Sequence, residues 1–263
     1  MGEFFVIIIE MDIDKLKESC LKEEEIAHIK GWNFSHIRDR YDEEDDIPWD
    51  YKSVILSYLK DDMKLLDYDT GGGEFLLSLS HPYKNTSATE GYPPNVLLCK
   101  EKLLPLGIDF RECNDCSSLP YEDESFDIYI NRHGDFDPKE AFRVLKKGGL
   151  FITQQVGGEN DRDLVLRVLP NSKAPFHDMK LDIQKKRFID SGFKIIDAKE
   201  HFGSIKFYDT SAFVWFARII EWEFEGFSVE KCFPELIKIE EEIESKGYIE
   251  GTTHRYLIVA KKE

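Results

Sequence analysis

The stretch KLLDYDTGGGEFLLSL, from Lys64 to Leu79, decides the fold of this chain of 263 residues. It begins with an apolar run at Leu65–Tyr68, continues through the glycines Gly71–Gly73, and ends in a helical pattern that Glu74 opens. Glycine permits positive φ and lets a ligand approach the backbone, and a helix N-terminus presents free N–H groups. The stretch therefore predicts a strand, a turn and a helix, with a binding crevice where the strand ends.

Apolar strands alternate with helical segments after this stretch begins. The predicted strands are Leu65–Tyr68, Thr86–Thr89, Ile108–Glu112, Phe126–Asn131 and Leu150–Gln155. Helical patterns such as PPNVLLCKEKLLPLG and DPKEAFRVLKKGG separate them. Continuous apolar strands in this alternation are typical of a parallel sheet that helices cover on both faces. We therefore predict an α/β fold.

The pattern before Lys64 is helical instead. Residues 12–31 and 48–59 each have the spacing of an amphipathic helix, and a segment rich in charged and aromatic residues joins them. We predict an N-terminal helical cap over residues 1–50 that closes over the substrate. The remaining residues, 51–263, are expected to form one compact unit with a substrate-pocket insert at about 157–230.

A late segment, Phe207–Phe224, is too apolar and aromatic for an exposed helix. Three uses fit this composition: it walls the substrate pocket, covers the sheet, or forms the face of a homodimer. Covering the core is the default expectation.

The net charge of −17 disfavours a nucleic-acid partner, because an acidic surface repels phosphates. The opening residues MGEFFVIIIE hold only six consecutive apolar residues, too few for a membrane span or a signal-peptide core. We therefore expect a cytoplasmic protein without a membrane partner.

The five cysteines are scattered and odd in number, which argues against a secreted disulfide framework. CNDC, from Cys113 to Cys116, has the spacing of a metal or redox pair, but no second pair or histidine cluster completes a zinc site. We predict two incidental thiols and no metal.

Glu90 ends the second predicted strand, in the segment NTSATEGY. It follows Gly73 by 17 residues, close to the spacing at which an acid binds ribose hydroxyls. A carboxylate only accepts hydrogen bonds and can take both hydrogens of a ribose diol. The alternative is an ordinary loop followed by a surface glutamate.

The order of these motifs resembles the class I methyltransferases that use S-adenosylmethionine. The first motif of that family matches at Asp67, Gly71 and Gly73, and the segments NDCSSLPYEDESFDIYIN and AFRVLKKGGLFIT are similar to later motifs. The likeness covers about Leu65 to Gln155. It implies a three-layer sandwich with a mostly parallel, seven-stranded Rossmann-like sheet of order 3-2-1-4-5-7-6, whose last strand is antiparallel.

The resemblance also implies where S-adenosylmethionine binds. Asp67 and the turn would hold the methionine moiety, Glu90 the ribose, Asp115 and the Cys116 backbone the adenine, and Asn131 would lie under the sulfonium. The implied cofactor-binding set is Asp67, Asp69, Gly71, Gly72, Gly73, Glu90, Gly91, Tyr92, Asp115, Cys116 and Asn131.

Asp69 departs from the family pattern, because it occupies the position of the first glycine. Asp tolerates unusual turn backbone better than most residues. Either its carboxylate attracts the ammonium and sulfonium charges of the cofactor, or it strains the turn and weakens binding.

The substrate and the base are less well marked. His133, in the segment INRHGDFD, is the candidate general base, and a loop histidine bonded to backbone is the alternative. Candidate substrate contacts are Arg132, Gln154, Gln155, Trp32, Arg40 and Tyr41. We expect methyl transfer to a small molecule; the rival predictions are an RNA-base methyltransferase and a non-catalytic protein that binds S-adenosylmethionine.

Overall fold

The computed structural model describes residues 12–27, 34–43 and 47–263. Trp32 and the apolar opening segment lie outside the described residues. The helices are α1 (Ile13–Ile26), α2 (Tyr51–Tyr58), α3 (Glu74–Ser78), α4 (Pro93–Lys102), α5 (Pro138–Val144), α6 (Arg162–Val168), α7 (Leu181–Asp190), α8 (Thr210–Ile219) and α9 (Val229–Lys246). The strands are β1 (Tyr41–Glu43), β2 (Leu65–Tyr68), β3 (Thr86–Glu90), β4 (Asp109–Glu112), β5 (Phe126–Arg132), β6 (Leu145–Val156), β7 (Phe193–Phe207) and β8 (Ile249–Lys262).

The strands form one mostly parallel sheet in the order β4-β3-β2-β5-β6-β8-β7-β1. Strands β2 to β6 pair in parallel, and β8 runs antiparallel to β6. The prediction of seven strands is wrong, because the sheet has eight. The predicted strand order is therefore incomplete. The eighth strand is β1, which pairs antiparallel with β7 at the edge of the sheet.

Alternation along the strands produces two apolar layers in the larger part of the chain. Leu65 and Leu66 are both fully buried but belong to different core clusters, because successive strand residues point to opposite faces. The Leu65 cluster includes residues from α2, α3 and α4, and the Leu66 cluster includes residues from α5 and α7. Helices therefore cover both faces of the parallel strands.

Contacts between residues divide the chain into two compact units. The larger unit takes in residues 46–160, 176–202 and 254–263, and the smaller unit takes in 1–45, 161–175 and 203–253. The smaller unit differs from the predicted cap because it combines the N-terminal residues with two later segments. The predicted boundary at residue 50 and the predicted insert stay predictions.

The core of the smaller unit is built around α8. Asp209 caps this helix by accepting a hydrogen bond from the Ala212 N–H, and all but one of its ten residues are buried. The apolar segment singled out in the sequence therefore packs into the core of its own unit. Among the described residues, none of the helices combines the length and the hydropathy that crossing a bilayer would require.

Candidate functional site

The turn after β2 is held in an unusual backbone conformation. Asp69, Gly71 and Gly73 have positive φ values of 60°, 64° and 79°. Glycine adopts this conformation without steric cost, and Asp is among the few other residues that visit it. Asp67, buried at the end of β2, accepts a hydrogen bond of 2.6 Å from the Thr70 hydroxyl. The turn is thus tied back to its own strand.

The Glu90 carboxylate fastens the same turn to the end of β3. It is only 2% exposed and accepts backbone hydrogen bonds from Gly71 at 2.7 Å, Gly91 at 2.9 Å and Tyr92 at 2.8 Å. The Asn95 amide adds a longer contact of 3.4 Å. A buried carboxylate needs such donors, because burying an unpaired charge is costly. Glu90 and the glycine turn therefore come together as the sequence predicts.

Asp69 reaches toward the loop that follows β5. A Cβ built on Gly134 would lie 2.3 Å from Asp69 Oδ2, so the glycine there makes room for the carboxylate. The protein around Asp69 and repulsion from Glu90 raise the pKa of its side chain to about 6.

Asp67 adds a third carboxyl group to this side of the crevice. Burial raises its pKa to about 7, against the opposing effects of the Thr70 hydroxyl and the Arg132 charge. The charges of Asp69 and Glu90 raise it further. Carboxyl groups whose pKa values are raised by burial and mutual repulsion favour a positively charged ligand, because a cation restores their ionised form.

The predicted adenine loop follows β4. A Cβ on Gly91 would lie 2.7 Å from Asn114 Cα, so the loops after β3 and β4 run close together. Asp115 is exposed and accepts hydrogen bonds from the Ser117 hydroxyl and N–H, which lower its pKa. Cys116 lies 3.6 Å from Asp135 Oδ2, and burial and that carboxylate raise the pKa of its thiol to about 11.

Asn131 and Gln155 belong to a buried hydrogen-bond network. The Asn131 amide donates to the Tyr68 carbonyl at 3.0 Å and accepts from the Gln155 amide at 2.6 Å. Gln155 also donates to the Gly134 carbonyl and the Thr153 hydroxyl. These two side chains fix the ends of β2, β5 and β6 relative to one another.

Gln154 connects two residues on the other side of β6. Its Oε1 accepts a hydrogen bond of 2.8 Å from the Trp49 indole, and its Nε2 lies 3.3 Å from His133 Nε2. Because an indole N–H only donates, it fixes the amide orientation and points the NH2 group at His133. His133 Nε2 is then the acceptor, and its proton is on Nδ1.

His133 itself has positive φ, at 61°, and is exposed. The surrounding protein, followed by the charges of Arg255 and Arg132, lowers its pKa to about 3. Arg132 is also exposed, and its guanidinium lies 4.4 Å from the centre of the Phe75 ring. Two cations and a neutral imidazole therefore mark this side of the crevice.

Trp49 lies in the predicted cap, and two further residues that shape the site, Gly134 and Phe75, had no sequence signal of their own. Trp49 orients Gln154, and Gly134 accommodates Asp69. The Phe75 ring stacks on Tyr51 at 5.3 Å and supports Arg132. Tyr51 lies in the segment 48–59, which was predicted to form an amphipathic helix. Its hydroxyl donates hydrogen bonds to backbone carbonyls of β5 and β6, and the helix pattern did not indicate these contacts.

Arg40 and Tyr41 lie in the smaller unit and are engaged there. The Arg40 guanidinium makes two hydrogen bonds with Asp209, at 2.8 Å and 2.7 Å, and one of 2.7 Å with Glu23. The Tyr41 ring stacks on Phe207 with centroids 6.2 Å apart. These contacts account for both residues without a substrate.

Residues 66–153 match a family model described as a methyltransferase domain. Over 60 residues the chain is 48% identical to the ubiquinone/menaquinone biosynthesis C-methyltransferase UbiE of Bartonella tribocorum, covering 20% of this chain and 22% of that protein. It is 28% identical over 136 residues to the demethylmenaquinone methyltransferase of Thermus thermophilus, covering 45% and 62%. The chain spans about a fifth of the first relative.

Residues 66–153 are thus similar to a methyltransferase domain. Solved structures share its fold. A Bacillus halodurans protein provisionally described as a methyltransferase aligns with a TM-score of 0.57 at 19% identity, covering 81% of this chain and 98% of that one. The YcgJ protein of Bacillus subtilis aligns with a TM-score of 0.55 at 17% identity, covering 81% and 98%.

The cofactor that this methyltransferase domain implies is S-adenosylmethionine. Its two positive groups, an ammonium and a sulfonium, suit the carboxyl groups of Asp67, Asp69 and Glu90. The residues present therefore fit the cofactor in charge.

We predict that Glu90→Gln both loosens the turn and weakens S-adenosylmethionine binding by at least about 30-fold. The amide NH2 would face backbone N–H groups that need an acceptor, and an unsatisfied buried donor costs roughly 1–3 kcal/mol. Glu112→Gln is the matched control, because Glu112 is the exposed register partner of Glu90 on β4. An unchanged dissociation constant by calorimetry would exclude Glu90 from the site.

For Arg40→Lys we expect a loss of about 2–3 kcal/mol in the free energy of unfolding, because lysine cannot reproduce the forked contacts with Asp209 and Glu23. Urea denaturation measures this, with the exposed Arg38→Lys as control. Cofactor affinity should stay within twofold. A stable variant with lost methyl transfer would instead support the predicted substrate role of Arg40.

Proposed function

We propose that the chain transfers the methyl group of S-adenosylmethionine to a small-molecule acceptor. The observation that carries this proposal is the carboxyl cluster beside the glycine turn of the methyltransferase domain. When bound, the cofactor supplies a methyl group activated by its positively charged sulfur. The protein then has mainly to hold two reactants in line, and positioning of this kind accounts for much of the rate.

Glu90 is proposed to bind the ribose while it continues to hold the turn. A carboxylate has about four acceptor positions, and Glu90 uses four contacts. The Asn95 contact, at 3.4 Å, is the longest. A ribose hydroxyl can replace it with the smallest loss, so the backbone bonds to the turn are kept.

Asp69 is proposed to aid binding rather than hinder it. Its carboxyl group is placed beside Glu90 and next to the space left by Gly134, where a nearby cation would relieve the repulsion that raises its pKa. Asp67, buried behind it, contributes charge without direct contact. The departure from the family glycine thus adds a counter-charge for the cofactor.

His133 is proposed to donate a hydrogen bond rather than to act as a base. Its Nε2 accepts from Gln154, and its lowered pKa keeps the ring neutral with a proton on Nδ1. A base whose conjugate acid is this acidic holds a proton poorly near neutral pH. The exposed Nδ1–H is instead available to an oxygen of the acceptor.

The acceptor is not given by the relatives. Two of them are named for quinone methylation, but the family match ends at residue 153 and covers the strands that are proposed to bind the cofactor. A quinol acceptor is therefore one member of the panel to be tested. The alternative, a protein that binds the cofactor without methyl transfer, is favoured only by Asp69.

Calorimetry with S-adenosylmethionine and S-adenosylhomocysteine tests the proposal. Asp67 and Asp69 have raised pKa values, and a cation favours their ionised forms, so affinity for S-adenosylmethionine should rise about tenfold from about pH 5.5 to about pH 8. S-adenosylhomocysteine lacks the sulfonium charge and should show a smaller rise. Binding of neither compound would refute the proposal.

Methyl transfer itself is tested with tritiated S-adenosylmethionine and a panel of small acceptors that includes quinols, at cofactor concentrations that saturate the protein. Incorporation of label is expected for at least one class. Tight binding without any transfer to the panel or to cell extract would favour the non-catalytic alternative.

We expect Asp69→Asn to weaken S-adenosylmethionine binding about tenfold, since it removes the charge but keeps a side chain that tolerates positive φ. Asp69→Gly, which restores the family residue, should weaken it similarly. S-adenosylhomocysteine should be affected less by both changes. Tighter binding by either variant would show that the carboxylate hinders the cofactor.

A further inference from the structure

The strands of the larger unit present one side chain each to the same edge and the same face. Ala88, Ile130 and Ile152 mark this face, because they belong to one core cluster. Along a strand, side chains two residues apart point to the same face. The side chains on that face near this edge form a row, which in sheet order is Glu112, Glu90, Asp67, Arg132, Gln154 and Arg255. Glu112 pairs with Glu90 and Arg132 with Gln154, whereas Asp67 pairs with Ile130 and Arg255 with Val156.

The sign of the charge changes once along this row. The residues on β4, β3 and β2 are acids, and those on β5, β6 and β8 are two arginines and an amide. The change falls between Asp67 and Arg132, on neighbouring strands β2 and β5. This is also the point where the strand order reverses, which is where ligands bind in open α/β sheets.

Arg132 is available to a ligand on the basic side. Within the described residues it has no ion pair with a carboxylate, and its guanidinium rests on the Phe75 ring. A guanidinium that stacks on a ring leaves its N–H groups directed outward in its own plane. The exposed residue His133 follows Arg132 in the chain, and its Nε2 contacts the Gln154 amide, which leaves the proton on Nδ1.

We propose that the methyl acceptor carries an anionic oxygen, from an ionised hydroxyl or a carboxylate, that Arg132 and the His133 N–H bind beside the methyl group. Gln154 is a positioning residue, because Trp49 orients it and it orients His133. This inference rests on the proposed function and names the acceptor class for the same site.

An acceptor that binds already ionised does not need a general base, which agrees with the donor role proposed for His133. Its oxygen, or a carbon conjugated to it, forms the new bond to the methyl carbon, while the carbon–sulfur bond breaks and its electron pair returns to sulfur. An oxygen nucleophile that arrives ionised has no proton to lose. A carbon nucleophile gives up its proton to water afterwards. In neither case is His133 required as a base.

The test uses the protein saturated with S-adenosylhomocysteine and two matched pairs of probes. Benzoate is compared with benzamide, and 4-nitrophenol with 4-nitroanisole, so the pairs separate carboxylates from ionised hydroxyls. We expect at least one anion to bind at least about tenfold more tightly than its neutral partner. Bound 4-nitrophenol should ionise at lower pH than the free compound, which its phenolate absorbance reports.

Arg132→Gln should abolish the preference for the anion and the shift in 4-nitrophenol ionisation, and Arg132→Lys should retain part of both. Lys139→Gln, at an exposed position in α5, is the matched control and should change neither. Affinity for S-adenosylhomocysteine should stay within twofold in Lys139→Gln, and every variant is saturated with it before the probes are compared.

Equal binding of anions and neutral partners, no binding of either anion, or an unaltered preference in Arg132→Gln would overturn the inference. These outcomes are distinct from failure of the proposed function, because they are measured with the cofactor product already bound. Loss of S-adenosylhomocysteine binding by the wild-type protein would refute the proposed function itself.

Discussion

The site depends on the hydrogen bonds that the buried Glu90 carboxylate accepts from the backbone. These bonds hold the glycine turn after β2 against the end of β3, and a carboxylate so deeply buried is stable only while its acceptors are filled. The position of the turn then fixes Asp67 and Asp69 beside Glu90. The negative side of the crevice therefore follows from one interaction. The pKa values of Asp67 and Asp69 are raised first by the surrounding protein and then by the carboxylates that lie close together there.

Apolar periodicity and glycine positions predicted those elements whose structure depends on residues close together in the sequence. The bounds of β2 are confirmed, and the turn, Glu90 and the parallel strands are found where apolar periodicity and glycine placed them. The strand β1 was not predicted, because Tyr41–Glu43 is short and polar and forms only by pairing with β7. Arg40 was predicted as a substrate contact from the cations and aromatic residues of its segment, and its ion-pair partner Asp209, 169 residues away, could not be recognised from the sequence.

The pKa values and proton positions in the site could not be predicted from the sequence either, because they depend on residues that are far apart in the chain. The sequence alone assigns a loop histidine its ordinary pKa, but the protein around His133 lowers that pKa. The charge of Arg255, on a strand late in the chain, lowers it further. The proton position on its ring depends on Trp49, which is 105 residues from Gln154. Residue types indicated that chemistry was present, but only packing shows which atom donates and which accepts.

The change of sign between β2 and β5 limits how strongly either side can bind. Transfer of a methyl cation equivalent to an anion cancels two opposite charges, so the transition state is less polar than the separated reactants. Residues that held both charges too firmly would stabilise the reactants more than the transition state and slow the reaction. Asp67 and Asp69, with pKa values near 7 and 6, are only partly ionised near neutral pH. If the cofactor binds as proposed, groups that adjust their charge to it attract it and steer it to the crevice without a fixed full ion pair.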